Sequence, residues 1–197
     1  MMSDGSRVLL TFDEVADTIL RTPAARLIAI DGLPCAGKST LTGVISQRMD
    51  ALLLYLDEFA LPEASWNACT QPSFPFEYNR YAAFLDAVRS LAATGSCTYF
   101  PFDWETMEIS QTPRTIHADR PVIVEGVSAL NAEICELYGL RFFVESDART
   151  VMEAAAQRGD GHWENIWRRL FLPSIELYMK TDPRGRADYR VAGRGAL

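Results

Sequence analysis

One nine-residue segment constrains this 197-residue chain more than any other feature, and it reads Gly32-Leu33-Pro34-Cys35-Ala36-Gly37-Lys38-Ser39-Thr40. It matches the phosphate-binding loop pattern G-x-x-x-x-G-K-[ST]. The residues before it, Arg26 to Asp31, have the composition of a buried parallel strand, and the apolar spacing from Lys38 to Met49 predicts a helix. Because the pattern requires a strand before it and a helix after it, this context predicts an anion-binding loop in an α/β fold.

The loop residues have separable roles in this interpretation. Backbone N–H groups of the turn and the positive end of the following helix bind phosphate oxygens, although Pro34 offers no N–H. Lys38 reaches the β- and γ-phosphates, and the Ser39 hydroxyl is a ligand for magnesium. Lys38 is also one of only two lysines among nineteen basic residues, and a compact ammonium suits a phosphate contact that a rigid guanidinium would not reproduce.

Composition and charge restrict the class of partner. The net charge of −7 argues against broad affinity for nucleic acid or an anionic membrane, so a small-molecule partner is expected. The first twenty residues do not have the pattern of a secretory signal, and we find no run of about eighteen apolar residues, which favours a cytoplasmic location. The cysteines are scattered, which predicts free thiols rather than a zinc site or a disulfide framework; they are Cys35, Cys69, Cys97 and Cys135.

Hydrophobic periodicity gives an alternating order of strands and helices along the chain. Thr11 and Glu14 predict a capping box for a first helix over residues 12–20. Further helices are predicted over residues 38–49, 81–91, 148–158 and 162–179. Strands are predicted over residues 26–31, 51–56, 97–100, 121–126 and 140–144, with a short one near 189–191. This alternation predicts a five-stranded parallel sheet with helices on both faces.

Two carboxylates are predicted to lie beside the phosphate loop. Asp57 and Glu125 each follow an apolar strand, and the carboxyl ends of parallel strands meet at one edge of the sheet. Asp57 is our candidate for the base that deprotonates an attacking hydroxyl, and Glu125 for the acid that holds magnesium directly or through water. Leu54 to Glu58 also fit an apolar strand followed by a metal-binding acid, although they come unusually soon after the loop. Alternatively, both carboxylates are solvated groups at strand ends.

Beyond the loop, several segments resemble the uridine kinase group of P-loop kinases, which includes pantothenate kinase and phosphoribulokinase. The resemblance runs from about Arg26 to Val191. The segments that carry it, besides the phosphate loop, are Asp57-Glu58-Phe59, Pro101-Phe102-Asp103-Trp104, Val124-Glu125-Gly126, Arg158-Gly159-Asp160 and Ala187-Asp188-Tyr189.

The resemblance implies a single three-layer P-loop NTPase domain over residues 1–197 with a small lid at about residues 157–170. It also implies ATP and Mg²⁺ as cofactors, since no adenine-reading signature is visible in the residues themselves. The implied reaction is ATP-dependent phosphorylation of an alcohol hydroxyl. Asp57 is the implied base, and Arg158 is our first choice among the lid arginines for neutralising charge on the phosphates.

The acceptor does not follow from the resemblance, because the chain departs from the pyrimidine-reading pattern. Phe102-Asp103-Trp104 stands where uridine and cytidine kinases have Tyr-Asp-Phe, and Met107 lies near their base-reading histidine. A nucleoside is the first expectation, followed by a vitamin precursor or a sugar. Glu77 substitutes for a ribose-binding aspartate, and Arg80 either grips an anion or is a solvated arginine. The full set of candidate acceptor contacts is Phe59, Glu77, Arg80, Phe102 and Asp103.

A second class of function stays open at this point. An ATP-binding regulator or adaptor with little turnover would keep the same phosphate loop and signal through lid closure. A GTPase is disfavoured, because the chain has no Asn-Lys-x-Asp segment. Trp163 and Trp167, four residues apart, are interpreted as a core-facing stripe rather than a stacking surface. The assembly state is not fixed by the sequence, which allows a homodimer.

Overall fold

The computed structural model describes residues 9–158 and 163–195. Within these residues the strands are β1 (Leu27–Gly32), β2 (Leu52–Tyr55), β3 (Ser96–Tyr99), β4 (Phe102–Asp103), β5 (Glu108–Ile109), β6 (Arg114–His117), β7 (Val122–Glu125), β8 (Leu140–Glu145) and β9 (Tyr189–Ala192). The α-helices are α1 (Phe12–Leu20), α2 (Lys38–Arg48), α3 (Glu63–Trp66), α4 (Tyr81–Thr94), α5 (Ala148–Arg158), α6 (Glu164–Ile166), α7 (Leu172–Met179) and α8 (Pro183–Arg186). A 3₁₀ turn covers Leu56–Phe59, another covers Cys135–Leu137, and a π-helical turn covers Trp167–Phe171.

A five-stranded parallel sheet in the order β2-β7-β1-β8-β9 forms the centre of the molecule, flanked by helices. The central strand β1 is buried along its whole length, as expected for a parallel strand that is covered on both faces. In the register of the sheet, Ile30 lies between Glu125 of β7 and Phe142 of β8, and Tyr55 of β2 lies opposite Glu125. The sheet therefore brings the ends of β1, β2 and β7 to one edge.

The five-stranded parallel sheet is confirmed, but one strand was assigned to it wrongly. The segment predicted at residues 97–100 forms β3, which pairs antiparallel with β6 in a separate two-stranded sheet, and the fifth strand of the main sheet is β9. Burial alternates along β3, with Cys97 and Tyr99 buried and Thr98 exposed. A strand with one solvated face suits an antiparallel pair and not a position covered on both faces.

The helix predicted over residues 162–179 is divided in the structure. Its described part consists of α6, the π-helical turn Trp167–Phe171 and α7. Pro173 lies in the first turn of α7, and a proline ring inside an α-helix clashes with the carbonyl group four residues earlier. The wider π turn before Pro173 relieves that clash, so the helix continues with a changed direction of its side chains.

Two hydrophobic clusters hold the elements together. The larger one covers the sheet and includes Ile28, Leu54 and Phe142, all fully buried. The smaller one joins α3, β4 and the α6 region through Trp66, Phe102 and Leu170. The capping box of α1 is present, since Thr11 and Glu14 exchange hydrogen bonds. No helix in the described ranges is both long enough and apolar enough to cross a membrane.

Candidate active site

The phosphate loop joins β1 to α2 through a backbone that only some residues can adopt. Gly37 precedes α2 with a φ of 108°, in the left-handed region that favours glycine. Gly32 has a φ of 150°, and a Cβ at that position would lie 2.7 Å from the carbonyl oxygen of Val144. The backbone geometry therefore accounts for both glycines of the loop pattern.

The ammonium group of Lys38 is buried inside the loop. Its Nζ donates hydrogen bonds to the carbonyl oxygens of Gly32, at 3.1 Å, and Leu33, at 2.9 Å. These contacts hold the side chain curled over the loop, where its charge meets any anion that the loop binds.

Ser39 and Glu125 meet across the sheet edge. The Ser39 hydroxyl donates a hydrogen bond to Glu125 Oε2 at 3.2 Å. Burial raises the pKa of Glu125, the charge of Lys38 opposes that rise, and the nearby carboxylate of Asp57 adds to it. Asp57 and Glu125 line the same cavity, at the ends of the neighbouring strands β2 and β7.

Asp57 is carried by the 3₁₀ turn that follows β2. This turn packs on the loop after β7 so closely that a Cβ on Gly126 would lie 2.4 Å from the Leu56 Cβ. The next residue, Glu58, is tied by Tyr99 and Arg114, which both donate hydrogen bonds to its carboxylate. The two-stranded sheet β3–β6 therefore fixes the turn that presents Asp57.

A cavity of about 460 Å³ opens over this sheet edge. Residues of the phosphate loop, Asp57 and Glu125 line one side of it. The other side is formed mostly by aromatic and apolar side chains. Its described lining residues beyond the loop and the two acids are Leu56, Ala60, Trp66, Phe76, Tyr78, Asn79, Trp104, Gly126, Val127, Trp163, Trp167, Phe171, Ile175 and Arg194.

The sequence interpretation missed Asp31, the last polar residue before the loop. Its carboxylate is fully buried and accepts hydrogen bonds from the backbone N–H groups of Gly32, Ser128 and Leu130 and from the Tyr178 hydroxyl. Burial raises the pKa of Asp31 in spite of these donors. An aspartate inside an otherwise apolar strand was the available signal. Asp31 joins the start of the phosphate loop to the loop after β7 and to α7.

Arg194 was also missed, because it lies after the last strand. Its backbone N–H donates to the carbonyl oxygen of Ala36 at 2.9 Å, and the residue lines the cavity beside the phosphate loop. Gly193 makes this approach feasible, since a Cβ there would lie 2.4 Å from the Glu145 carbonyl oxygen and 2.5 Å from that of Ala36.

Two of the predicted acceptor contacts do not line the cavity because they are engaged elsewhere. Phe59 is fully buried and stacks on Tyr99 with ring centroids 4.7 Å apart. Arg80 donates to the carbonyl oxygens of Glu58 and Ala60, at 2.8 and 3.3 Å, and lies over the Phe59 ring. Its guanidinium fork is therefore directed at the 3₁₀ turn rather than at the cavity.

The remaining predicted contacts also lie outside the cavity wall. Phe102 is buried in the smaller hydrophobic cluster next to Trp66. Asp103 accepts the N–H groups of Glu105 and Thr106 in its own turn, and these hydrogen bonds lower its pKa. Glu77 is exposed to solvent.

The interpretation of Trp163 and Trp167 as packing residues needs a correction. Both contribute to the aromatic packing, since Trp163 contacts Trp66 and Trp167 contacts Phe171, but both also line the cavity. The π-helical turn between α6 and α7 carries Trp167 and Phe171 towards the cavity, which a regular helical repeat did not reveal.

The predicted lid is described only in part. Arg158 is the last residue of α5, and its side chain and residues 159–162 lie outside the described residues. Two other arginines of this region have partners: Arg168 pairs with Glu164 at 2.9 Å, and Arg169 donates to the Cys69 carbonyl oxygen at 2.8 Å.

No protein family profile matches the chain. A relative, the bifunctional pantoate ligase/cytidylate kinase of Gloeobacter violaceus, is 30% identical over 164 residues, which are 82% of this chain and 30% of that protein. The chain thus spans less than a third of the length of that relative, so the match does not assign the activity of the whole protein.

Solved structures decide the fold. One described as a possible uridine kinase from Bacillus stearothermophilus superimposes with a TM-score of 0.70 at 21% identity, covering 91% of this chain and 96% of that one. The chain has the same fold as that possible uridine kinase. D-glycerate 3-kinase from Cryptococcus neoformans shares this fold, with a TM-score of 0.58 at 11% identity over 87% of this chain and 89% of that one.

Proposed function

We propose that the protein is an ATP-dependent phosphotransferase that moves the γ-phosphate of ATP to an alcohol hydroxyl. The observation that supports it most is the convergence of Lys38, Ser39, Asp57 and Glu125 on one cavity at the carboxyl edge of the sheet. Phosphoryl transfer needs a phosphate cradle, a metal-holding acid and a base or orienting group for the hydroxyl, and these residues supply the three types.

The nucleotide triphosphate would be held by the whole loop, that is by Gly32, Leu33, Pro34, Cys35, Ala36, Gly37, Lys38, Ser39 and Thr40. The N–H groups at the start of α2 and the Lys38 ammonium complement the charge of the phosphates. The choice of ATP as donor rests on the fold, which the chain has in common with kinases.

Magnesium fits the residues beside the loop. Ser39 Oγ and Glu125 Oε2 are 3.2 Å apart, and both are oxygen atoms of the kind that magnesium prefers. The described residues contain no group of three or more His, Cys, Asp or Glu side chains arranged for a metal ion. That is compatible with magnesium, which usually takes one or two protein ligands and completes its shell with water and substrate phosphates. When bound, the ion neutralises charge on the phosphates.

Asp57 would act on the acceptor. As the acceptor oxygen bonds to the γ-phosphorus, the hydroxyl proton passes to the Asp57 carboxylate and the bond to the bridging oxygen breaks, which releases ADP. Lys38 and, from the lid, Arg158 would neutralise the charge of the transferring group. A nucleoside such as uridine or cytidine is the first candidate acceptor, and a vitamin precursor or a sugar follows.

The cysteines of the described residues are free thiols, which supports a reducing, cytoplasmic location.

ADP release from magnesium-ATP tests this function directly. Nucleosides, pantothenate-like acids and small sugars would be added one at a time, with Lys38→Ala as the blank. We expect strong stimulation by one alcohol in the unaltered protein only. Tight ATP binding without stimulation by any of them would contradict the kinase function and favour an ATP-binding regulator.

A further inference from the structure

Aromatic side chains form one continuous wall of the cavity. All four tryptophans of the chain belong to it, although they come from distant parts of the sequence; they are Trp66, Trp104, Trp163 and Trp167. Trp66 lies at the centre, with its ring centroid 6.4 Å from that of Trp104, 6.0 Å from Trp163 and 5.3 Å from Phe171. We call the four tryptophans, together with Phe76, Tyr78 and Phe171, the aromatic wall.

The wall continues towards the main core through ring contacts. Phe171 is 4.5 Å from Tyr78, and Tyr78 stacks on Phe76 at 5.1 Å, measured between ring centroids. Not all of its rings are buried in the hydrophobic core, because Trp104 is 48% exposed and Trp163 and Trp167 are partly exposed. Partly exposed rings in a cavity offer faces on which a planar group can stack.

Charged partners for a ligand are concentrated at the other end of the cavity. Among the described lining residues the cations are Lys38 and Arg194, both at the phosphate loop. Arginines near the wall are engaged with protein groups: Arg80 and Arg169 with backbone carbonyl oxygens and Arg168 with Glu164. In the part of the chain that the structure describes, the wall offers no guanidinium to an anionic acceptor.

Apart from the indole N–H groups of the tryptophans, few groups on the wall could form hydrogen bonds with the edge of a bound ring. Asn79 is the one side-chain amide among the described lining residues, and the Tyr78 hydroxyl belongs to a phenol whose pKa is raised well above its ordinary value by burial. A mainly apolar pocket discriminates weakly between ligands that differ by a polar group, whereas a pocket of hydrogen-bonding groups discriminates strongly.

We propose that the acceptor is an uncharged alcohol with a planar aromatic ring, which stacks on the aromatic wall and directs its hydroxyl at Asp57. This inference rests on the proposed kinase function and names its substrate class. The ring is selected by its planarity and not by the polar groups on its edge. Anionic acceptors, such as the cytidylate in the name of the Gloeobacter violaceus relative or D-glycerate, should be poorer acceptors, as should sugars, which have no aromatic ring to stack.

Acceptor kinetics test the substrate class. With magnesium-ATP, kcat/KM would be measured for uridine, benzyl alcohol and 4-(hydroxymethyl)pyridine, and for ribose, D-glycerate and cytidine monophosphate. We expect the kcat/KM values of the three aromatic alcohols to lie within about 1,000-fold of one another. Each of these values should exceed those of ribose, D-glycerate and cytidine monophosphate. An anion or ribose as the best acceptor would overturn the inference but keep the kinase function. So would a preference of more than about 1,000-fold for uridine over both simple aromatic alcohols.

A binding experiment separates the inference from the kinase function. The dissociation constant of uridine would be measured by tryptophan fluorescence and by saturation-transfer NMR in Trp104→Ala and Trp167→Ala, with folding checked by circular dichroism. Stacking on one ring predicts binding roughly ten-fold weaker in each variant. Phe100→Ala is the matched control, since Phe100 is 46% exposed and lies off the wall.

The two proposals fail in different ways. If uridine binding depends on the tryptophans but no acceptor stimulates ADP release, the kinase function is contradicted. The aromatic wall would then remain a binding site for planar aromatic alcohols. Unchanged uridine binding in both folded tryptophan variants would overturn the wall as the acceptor site, whatever the turnover.

Discussion

The Ser39 hydroxyl donates a hydrogen bond to Glu125 Oε2 at 3.2 Å, which joins the first turn of α2 to the end of β7. The two residues are far apart in the sequence, and the parallel pairing of β1 with β7 brings them to the same sheet edge. If both hold magnesium, their effects on activity should not add, because they act on one ion. Ser39→Ala and Glu125→Gln should each raise the magnesium concentration needed for half-maximal turnover by roughly ten-fold.

The control for this measurement is Ser46→Ala, which removes an exposed hydroxyl further along α2, away from the phosphate loop. The double variant Ser39→Ala/Glu125→Gln tests whether the two residues share one ion. If its magnesium requirement rises by the product of the two single-variant factors, a shared ion is contradicted.

The charged carboxylate of Glu125 should also lower the stability of the folded protein at neutral pH. Its pKa in the folded protein lies above the ordinary value of 4.5 because burial disfavours the charged carboxylate. A carboxyl group with a raised pKa binds its proton more tightly in the folded state, so its stabilising contribution is full below pH 4.5 and is lost as the pH rises through the folded pKa. Glu125→Gln should therefore raise Tm at pH 7 by about 2–4 °C, for a gain of about 1 kcal/mol, and change Tm little at pH 4. A lower Tm at pH 7 would show that the charged form stabilises the fold.

Asp57→Asn should remove turnover and leave nucleotide binding intact. Loss of a general base lowers kcat by about 10²- to 10⁴-fold, while the phosphate loop is untouched, so the dissociation constant for ATP should change less than about three-fold. Rapid-quench kinetics and calorimetry measure the two quantities. Asp86→Asn is the matched control on the exposed face of α4, where the carboxylate pairs with Arg89. Normal phosphorylation by the Asp57 variant would remove Asp57 from the role of base.

The turn that carries Asp57 should depend on Tyr99, whose hydroxyl donates to Glu58. Burial and this contact raise the pKa of Tyr99, so the phenol stays protonated and remains a donor at every pH used for assays. Tyr99→Phe removes the donor and keeps the ring that stacks on Phe59. We expect a loss of stability of about 1 kcal/mol and a fall in kcat without a change in ATP affinity. A variant that loses stability but keeps kcat would limit Tyr99 to a structural role.

The sequence was sufficient for the main elements because their signals are local. The phosphate loop has its glycines and lysine at fixed spacing, and the fully buried strands appear as unbroken apolar runs such as Val122-Ile123-Val124. The separate pairing of β3 with β6 was not predicted, because strand pairing is a non-local property and a four-residue run does not specify its partner.

The cavity wall was harder still to predict. Trp163 and Trp167 have the spacing of a core stripe, and the π-helical turn that directs Trp167 and Phe171 at the cavity follows from the clash of Pro173 with the preceding turn. For Arg80 the sequence left two interpretations open, an anion-binding residue or a solvated arginine. In the structure its donors are taken by backbone carbonyl oxygens that only the folded 3₁₀ turn brings within reach.

The approach of the C-terminal strand to the phosphate loop gives a last prediction. Gly193 lies where a Cβ would be 2.4 Å from one carbonyl oxygen and 2.5 Å from another, that of Ala36 inside the loop. Gly193→Ala must push the strand and the loop apart, and the hydrogen bond from the Arg194 N–H to Ala36 is then lost. ATP affinity should fall at least ten-fold because the loop must keep its shape to aim its N–H groups. Gly43→Ala is the matched control: Gly43 is exposed in α2 with nothing within 4 Å of an added Cβ, so that change should stabilise the protein by about 0.5–1 kcal/mol and leave ATP affinity unaltered. Equal ATP affinities in the two variants would show that the C-terminal strand does not support the phosphate loop.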